Sequence, residues 1–256
     1  MKNKLIKNKV SIITATYNDE AWIVDTYNSI LAQSHEDWEW LITDDSSSDK
    51  TFDIITQLAS NDQRIKLFKN DINSGAAVSR NRSISHSDGE FIAFLDSDDL
   101  WHPLKLEKQL DFMGDNIDFS FTAYELVDSE GESLDAKVDS SQSGSFSYDD
   151  MLKKKATMGC STVMLRISAF DDLSMPLLRT GQDYALWLKL LKSGALAHVL
   201  NDVLTQYRIL PNSISRNKFK KAKRQWEIYR KLEGIGLFYS SINFVFYAYR
   251  AVFRRR

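Results

Sequence analysis

Cysteine is almost missing from this chain: Cys160 is the only one in 256 residues. A lone thiol excludes an intramolecular disulfide and a cysteine-built metal site, so nothing asks for an oxidising compartment and a reducing cytoplasm is expected. No secretory leader is expected either, because Met1 to Lys9 is polar and lysine-rich with only Leu5 and Ile6 apolar. No internal repeat is visible. Net charge is nearly absent too, at −2, but it is unevenly spread. From Arg216 to Arg256 twelve Lys or Arg face only Glu227 and Glu233, a balance of +10 that leaves residues 1–215 at −12. The hydrophobic fraction of 43% is that of a globular protein. The length allows one large domain, or one domain with a tail, whose core needs no covalent staples.

Strand and helix patterns alternate through the first hundred residues. Val10-Ser11-Ile12-Ile13-Thr14 reads as a first strand, followed by Ile23, Tyr27, Ile30 and Leu31 at helical spacing. Trp38 to Thr43 makes a second strand, with Phe52, Ile55, Leu58 and Ala59 marking the next helix. Ile65 to Phe68 is a third strand, Gly75 to Ser85 a helix closed by Gly89, and Phe91 to Leu95 a fourth strand. This alternation predicts an α/β fold around a mainly parallel sheet flanked by helices. After Pro103 the pattern fades: Asp118 to Val127 and the Ser129-Glu130-Gly131 turn look like antiparallel additions, and Asp139 to Ser147 is polar enough for a mobile loop. Met158 to Leu165 returns as a strand, and a helix from about Asp183 to Lys192 stops at Gly194.

The densest chemistry follows the fourth strand, where Phe91-Ile92-Ala93-Phe94-Leu95 ends in Asp96-Ser97-Asp98-Asp99. A strand buried on both faces places this cluster at the carboxyl edge, where open α/β sheets hold their ligands. If the segment stays extended, Asp96 and Asp98 point the same way and share one hard cation such as Mg²⁺ or Mn²⁺. Asp98 and Asp99 also fit a helix cap ahead of His102-Pro103. The first and second strands end in Thr16-Tyr17-Asn18 and Asp44-Asp45, on the same rim. A ring to stack a base, an acceptor and a metal site make the parts of a nucleotide pocket. Separately, Tyr17 also reads as a surface tyrosine, Asn18 and Asp19 as caps, and Asp45 as a turn residue. Asn73-Ser74-Gly75 and Arg80 set a helix amino terminus and a cation beside this rim, which attracts anions; a surface ion pair is the plainer reading of Arg80.

The ordered segments Val-Ser-Ile-Ile-Thr-Ala-Thr-Tyr-Asn, Asp-Asp-Ser-Ser-Ser-Asp, Asn-Ser-Gly-Ala-Ala-Val-Ser-Arg-Asn and Phe-Leu-Asp-Ser-Asp-Asp-Leu-Trp resemble glycosyltransferase family 2. The likeness is dense over about residues 8–110. It continues through Gly159-Cys160-Ser161, Gly181-Gln182-Asp183 and Tyr207-Arg208 to about 215, and is greatest to bacterial transferases of surface polysaccharides, of teichuronic-acid, capsule and O-antigen type. It implies a GT-A-like, Rossmann-type fold over residues 1–215 and an inverting, metal-dependent transfer from a nucleotide sugar, with UDP as the nucleotide, to a lipid-linked saccharide. By the same resemblance Tyr17 and Asp45 hold the base, Arg80 and Asp96 serve the donor, Asp98 and Asp96 bind Mn²⁺ or Mg²⁺, and Asp183 is the catalytic base. The chain departs from the family in three places. Gln182 stands where a Glu usually precedes the base, Leu210 stands where many relatives have a histidine, and the Gln-x-x-Arg-Trp signature and membrane spans of processive synthases are missing. Arg208, Ser213 and Ser215 remain available to close over a diphosphate. As plain residue chemistry, Asp183 also fits a helix N-cap after Gly181.

Residues 216–256 are a different material. Phe238, Ile242, Val245, Phe246, Tyr249, Val252 and Phe253 fall on one helical stripe, and Ser240, Asn243, Tyr247, Arg250 and Arg254 on another. Aromatic stripe and basic flanks fit an amphipathic helix lying on an anionic membrane, which places the protein on the inner face of the cell membrane. A helix docked on its own domain is the alternative; nucleic acid is disfavoured by the acidic body and the lack of any binding motif. Two other functions compete with transfer. A sugar nucleotidyltransferase needs a Gly-rich phosphate loop with a basic residue near the first strand, which residues 10–20 lack. A catalytically idle partner subunit has no need of Asp96, Asp98 and Asp183.

Overall fold

The computed structural model describes residues 5–210 and 218–253, with 218 and 251–253 by backbone alone. Four apolar segments, β1 (Ile6–Thr16), β2 (Trp38–Asp44), β3 (Ile65–Lys69) and β4 (Gly89–Phe94), are joined by α1 (Ile23–Leu31), α2 (Thr51–Asn61) and α3 (Ala76–Ile84). They run parallel in the order β3-β2-β1-β4. Every residue of β2 is buried, as a strand covered on both faces requires. The alternation of side chains sorts two cores. Ile13, Leu41, Ile92 and Phe94 join Phe119, Phe121 and Trp187 on one face. Ile12, Trp40, Ile42, Phe91, Ala93 and Leu95 join Ile23, Ile30 and Ile55 on the other. Each such side chain contributes about 1.5–3 kcal/mol on burial, and a one-residue slip would exchange the two sets, so the register at the carboxyl edge is well determined.

Beyond β4 come β5 (Leu100–Trp101), α4 (Lys105–Met113), β6 (Phe119–Val127), β7 (Ser133–Val138), β8 (Ser145–Phe146), α5 (Tyr148–Leu152), β9 (Val163–Arg166), α6 (Gln182–Lys192) and β10 (Ala197–Arg208). The sheet continues β4-β9-β6-β10-β5, with β9 antiparallel to both its neighbours and β10 parallel to β6. It is therefore mixed: the expected parallel order holds from β3 to β4 and gives way beyond it. Strand direction there depends on where the chain has come from, which a strand's own composition does not record.

Three local expectations are corrected. Gly89 does not close α3, which ends at Ile84; it opens β4 beside β1, where a Cβ would stand 2.5 Å from the Lys9 carbonyl oxygen. The polar stretch Asp139 to Ser147 is pinned at both ends: buried Asp139 accepts the Thr157 and Met158 amides, and β8 pairs with β10. The strand expected from Met158 is shorter, because Cys160–Thr162 forms a 3₁₀ turn ahead of β9.

The carboxyl-terminal part holds α7 (Lys218–Glu227), a π-helical turn (Ile228–Leu232) and α8 (Leu237–Phe253). Ile228 and Tyr229 are buried in the first core, where the Tyr229 hydroxyl donates to the Leu152 carbonyl at 2.5 Å. Tyr148 donates to Glu233 at 2.6 Å. The basic segment is thus part of the body, and Phe244 of α8 packs against the same core.

Candidate active site

After Phe94 the chain turns instead of staying extended, and the Asp99 amide returns to the Asp96 carbonyl at 3.2 Å. This turn, and not strand alternation, brings Asp98 within electrostatic reach of Asp96. It is clamped from two sides. Ser161 Oγ, in the 3₁₀ turn, accepts the Asp96 amide at 3.0 Å and donates to Asp99 Oδ2 at 2.5 Å. From β10, the Arg208 amide donates to Asp99 Oδ1 at 3.0 Å, while its guanidinium donates to the carbonyls of Asp98 (2.9 Å) and Ser129 (2.6 Å). Asp99 is therefore a buried anchor and not a cap; α4 begins at Lys105 without any side-chain cap. Arg208 holds main-chain carbonyls instead of standing ready for a diphosphate, and Ser213 and Ser215 lie outside the described residues.

Burial, followed by the like charges of Asp96 and Asp19, pushes Asp98 up to about 7. Asp99 and Asp19 are also raised, each chiefly by burial. Such crowding of carboxylates is unfavourable without positive charge nearby. Arg80 supplies some: it is 5% exposed and its Nη2 donates to Asp96 Oδ1 at 2.5 Å. Burial opposes its charge, but Cys160, Asp96 and Asp183 more than restore it, so its pKa lies above the ordinary value. Among the described residues its Nε and Nη1 are buried without an acceptor, a costly state for two donors.

Asp183 lies in the first turn of α6, after Gly181 in the left-handed region at φ 71°, and is half-buried. Gly181, not Asp183, takes the N-cap position. Asp183 acts on Arg80 together with Asp96 and Cys160, so residues from α3, the β4 edge, the 3₁₀ turn and α6 meet at one place. The adjacent Gln182 has a buried Oε1 with no partner among the described residues.

On the other side of β1, the Asp45 amide donates to the Thr16 carbonyl at 2.9 Å, which sets the β1 and β2 ends side by side. Tyr17 follows Thr16 with its side chain 46% exposed. Asp45 is buried at the start of α3: Oδ1 accepts Asn70 Nδ2 (2.8 Å) and the Ser74 amide (2.9 Å), and Oδ2 accepts the Gly75 amide (2.7 Å). With one bond, Oδ2 keeps acceptor capacity. Gly75 has φ 93°, and a Cβ there would press on the Arg179 guanidinium at 3.3 Å, so the amide that meets Asp45 depends on glycine.

Among the described residues no group of three or more His, Cys, Asp or Glu forms a closed metal cage. Mg²⁺ and Mn²⁺ need none, since they take one or two carboxylates and complete their shell with phosphate and water. Asp98, raised by burial and then by Asp96 and Asp19, and Asp96, with one oxygen on Arg80, fit that donor set, because a divalent cation relieves the repulsion between them. Sequence reasoning gave Asp19 only as a cap and assigned no role to Ser161. Asp19 Oδ2 accepts Ser97 Oγ (2.6 Å), Thr16 Oγ1 (2.9 Å) and the Tyr17 amide (3.0 Å), tying the β1 end to the carboxylate turn. The local amide bond was legible as turn chemistry; the Ser97 bond spans 78 residues and was not.

The family model described as Glycosyl transferase family 2 matches residues 11–173. A protein of Bacillus subtilis (strain 168) named as a teichuronic acid biosynthesis glycosyltransferase, TuaG, is 45% identical over 250 residues, covering 97% of this chain and 98% of its own length. From Escherichia coli, WfgD is 39% identical over 221 residues, 86% of this chain and 84% of its own; it is named UDP-Glc:alpha-D-GlcNAc-diphosphoundecaprenol beta-1,3-glucosyltransferase. Among solved structures, S. aureus TarS 1–349 in complex with UDP-GlcNAc superposes with a TM-score of 0.72 at 21% identity, over 87% of this chain and 64% of that one. The mannosyltransferase PcManGT from Pyrobaculum calidifontis, in complex with GDP-Man and Mn²⁺, gives 0.68 at 17% identity, over 89% and 65%. These two likenesses carry the fold, which is GT-A-like. Matched by the family model across both halves of its sheet, and by TuaG over nearly its whole length, the chain belongs to glycosyltransferase family 2.

Proposed function

We propose that this chain moves a sugar from a UDP-sugar, with Mn²⁺ or Mg²⁺ as cofactor and with inversion, to a lipid-linked saccharide in bacterial surface-polysaccharide synthesis. The reaction takes place at the cytoplasmic face of the membrane, with the enzyme bound peripherally. The observation that carries this reading is Arg80, buried with two donors that find no acceptor among the described residues and flanked by Asp96 and Asp183. A diphosphate supplies the oxygens those donors need, in a charge-assisted pair. Asp45 Oδ2 accepts the uracil ring N–H, and Tyr17 offers its exposed ring to the base. Asp98 and Asp96 would hold a divalent metal, which when bound would supply Lewis-acid stabilisation to the leaving diphosphate. Asp183 takes the acceptor hydroxyl's proton as the oxygen attacks the anomeric carbon opposite the leaving group, so a single displacement inverts the configuration.

The donor and acceptor classes rest on kinship. WfgD's name specifies UDP-Glc and a GlcNAc-diphosphoundecaprenol, and TuaG's specifies teichuronic acid. No helix among the described residues is long and apolar enough to cross a membrane, and a lipid-linked acceptor brings the reaction to the bilayer surface. A UDP-release screen of nucleotide sugars with Mn²⁺ or Mg²⁺ tests the reading. One UDP-sugar is expected to give metal-dependent release that EDTA abolishes and a lipid-diphosphate saccharide raises. No release from any donor would contradict it and favour an idle partner subunit.

A further inference from the structure

The amphipathic helix α8 packs the opposite way to a surface helix of a soluble protein. Polar Ser240 and Asn243 are buried, and Phe244, Tyr247 and Arg250 are half-buried. Leu237, Phe238, Ile242, Val245, Phe246 and Tyr249 stand exposed, Phe238 at 73% and Val245 at 67%. Surface helices normally turn their apolar stripe to the core. Here the polar side is fixed inward. Ser240 Oγ donates to the Ile235 carbonyl at 3.1 Å, and Phe244 meets the α7 ring Trp226 edge-on at 5.5 Å. A contiguous apolar stripe held outward marks an interaction surface.

Its surroundings select the partner. Residues 218–250 carry eight Lys or Arg against Glu227 and Glu233. Glu227 is paired with Arg224, and Glu233 with Lys192 and Tyr148. Lys223, Arg230 and Lys231 are exposed. An aromatic apolar stripe beside basic residues is the makeup of helices that lie in the headgroup region of anionic bilayers. We infer that α8 docks this protein on an anionic membrane, lying along the interface with its outward stripe in the lipid and the basic residues of α7 and the π-helical turn near the phosphates.

The same segment reaches the site. Arg224 Nε donates to Thr180 Oγ1 at 3.3 Å, and a Cβ on Gly181 would stand 3.3 Å from Ile228. Docking through α8 therefore holds the Asp183 end of α6 in a fixed relation to the bilayer. That consequence rests on the glycosyl-transfer reading; the docking does not.

The test is flotation of the full-length chain with vesicles, comparing wild type with the double variant Phe238→Glu, Val245→Glu, whose sites are exposed and leave the core intact. UDP release is measured for both with a water-soluble acceptor. Wild type is expected to float with phosphatidylglycerol-containing vesicles and about tenfold less with phosphatidylcholine alone. The double variant is expected to stay unbound, with circular dichroism and UDP release unchanged. Wild type that stays unbound, or a variant that floats equally well, overturns the inference. So does a vesicle-free dimer that the substitutions dissociate, which would assign the stripe to a second copy. Flotation as expected, with no UDP release from either protein, leaves the docking standing and removes the transfer reading.

Discussion

Asp98 bears the electrostatic cost of the site, its carboxyl raised from 3.8 to about 7 by burial and then by Asp96 and Asp19. A carboxyl raised by folding binds its proton more tightly in the folded chain. Its penalty is therefore absent below the unfolded value and grows as pH rises from about 4 to about 7. Asp98→Asn cannot ionise, so the metal-free variant is expected to melt several degrees above wild type at about pH 8, with a smaller gain at about pH 5. Mn²⁺ with UDP is expected to raise the melting temperature of the wild type and not that of the variant. Melting curves at both pH values check this, and a variant less stable at the higher pH contradicts it. The neighbouring Asp99 shows what sequence hides. It reads as a cap because α4 follows closely, yet its partners are Ser161 and the Arg208 amide, 62 and 109 residues away. Tyr17, Asp45, Arg80, Asp96 and Asp183 were legible because each sits in a short ordered segment. The bonds that hold Asp45, Arg80 and Asp96 are long-range and leave no local pattern.

At the scale of elements, β1 to β4 and their helices were legible because burial on both faces makes strands continuously apolar and helices periodic. The direction of β9 was not, since a short apolar strand pairs equally well either way. Gly89 was misread for a related reason. A glycine after a helix suggests a stop, but this one admits the β1 backbone, and its amide donates to Ser11 Oγ at 2.9 Å. Gly89→Ala would force β4 away from Lys9 and Ser11, and is expected to cost about 1–3 kcal/mol in denaturant unfolding. Unchanged stability would mean that the β1 and β4 backbones are less closely apposed than described. Because the same pair of strands carries Tyr17 and Asp96 at its far end, the variant also tests how much site geometry depends on sheet register.

For the molecule as a whole, an acidic body and a basic carboxyl-terminal segment meet through Ile228 and Tyr229 in a common core, so the segment is not a loose appendage. Composition showed the charge contrast, and helical spacing showed the two stripes of α8. Neither told which stripe faces inward, because that is decided by how α8 folds back on the preceding segment, where Ser240 meets the Ile235 carbonyl and Phe244 meets Trp226 of α7. The architecture places the carboxyl ends of β1, β2 and β4, Asp183 and the basic carboxyl-terminal segment in one connected body. The most direct test of glycosyl transfer at that rim is Asp183→Asn, measured for transfer alongside calorimetric binding of UDP and Mn²⁺. Binding is expected to match wild type while kcat falls by about 10²- to 10⁴-fold; transfer at the wild-type rate with binding intact would contradict the role of Asp183 as the base.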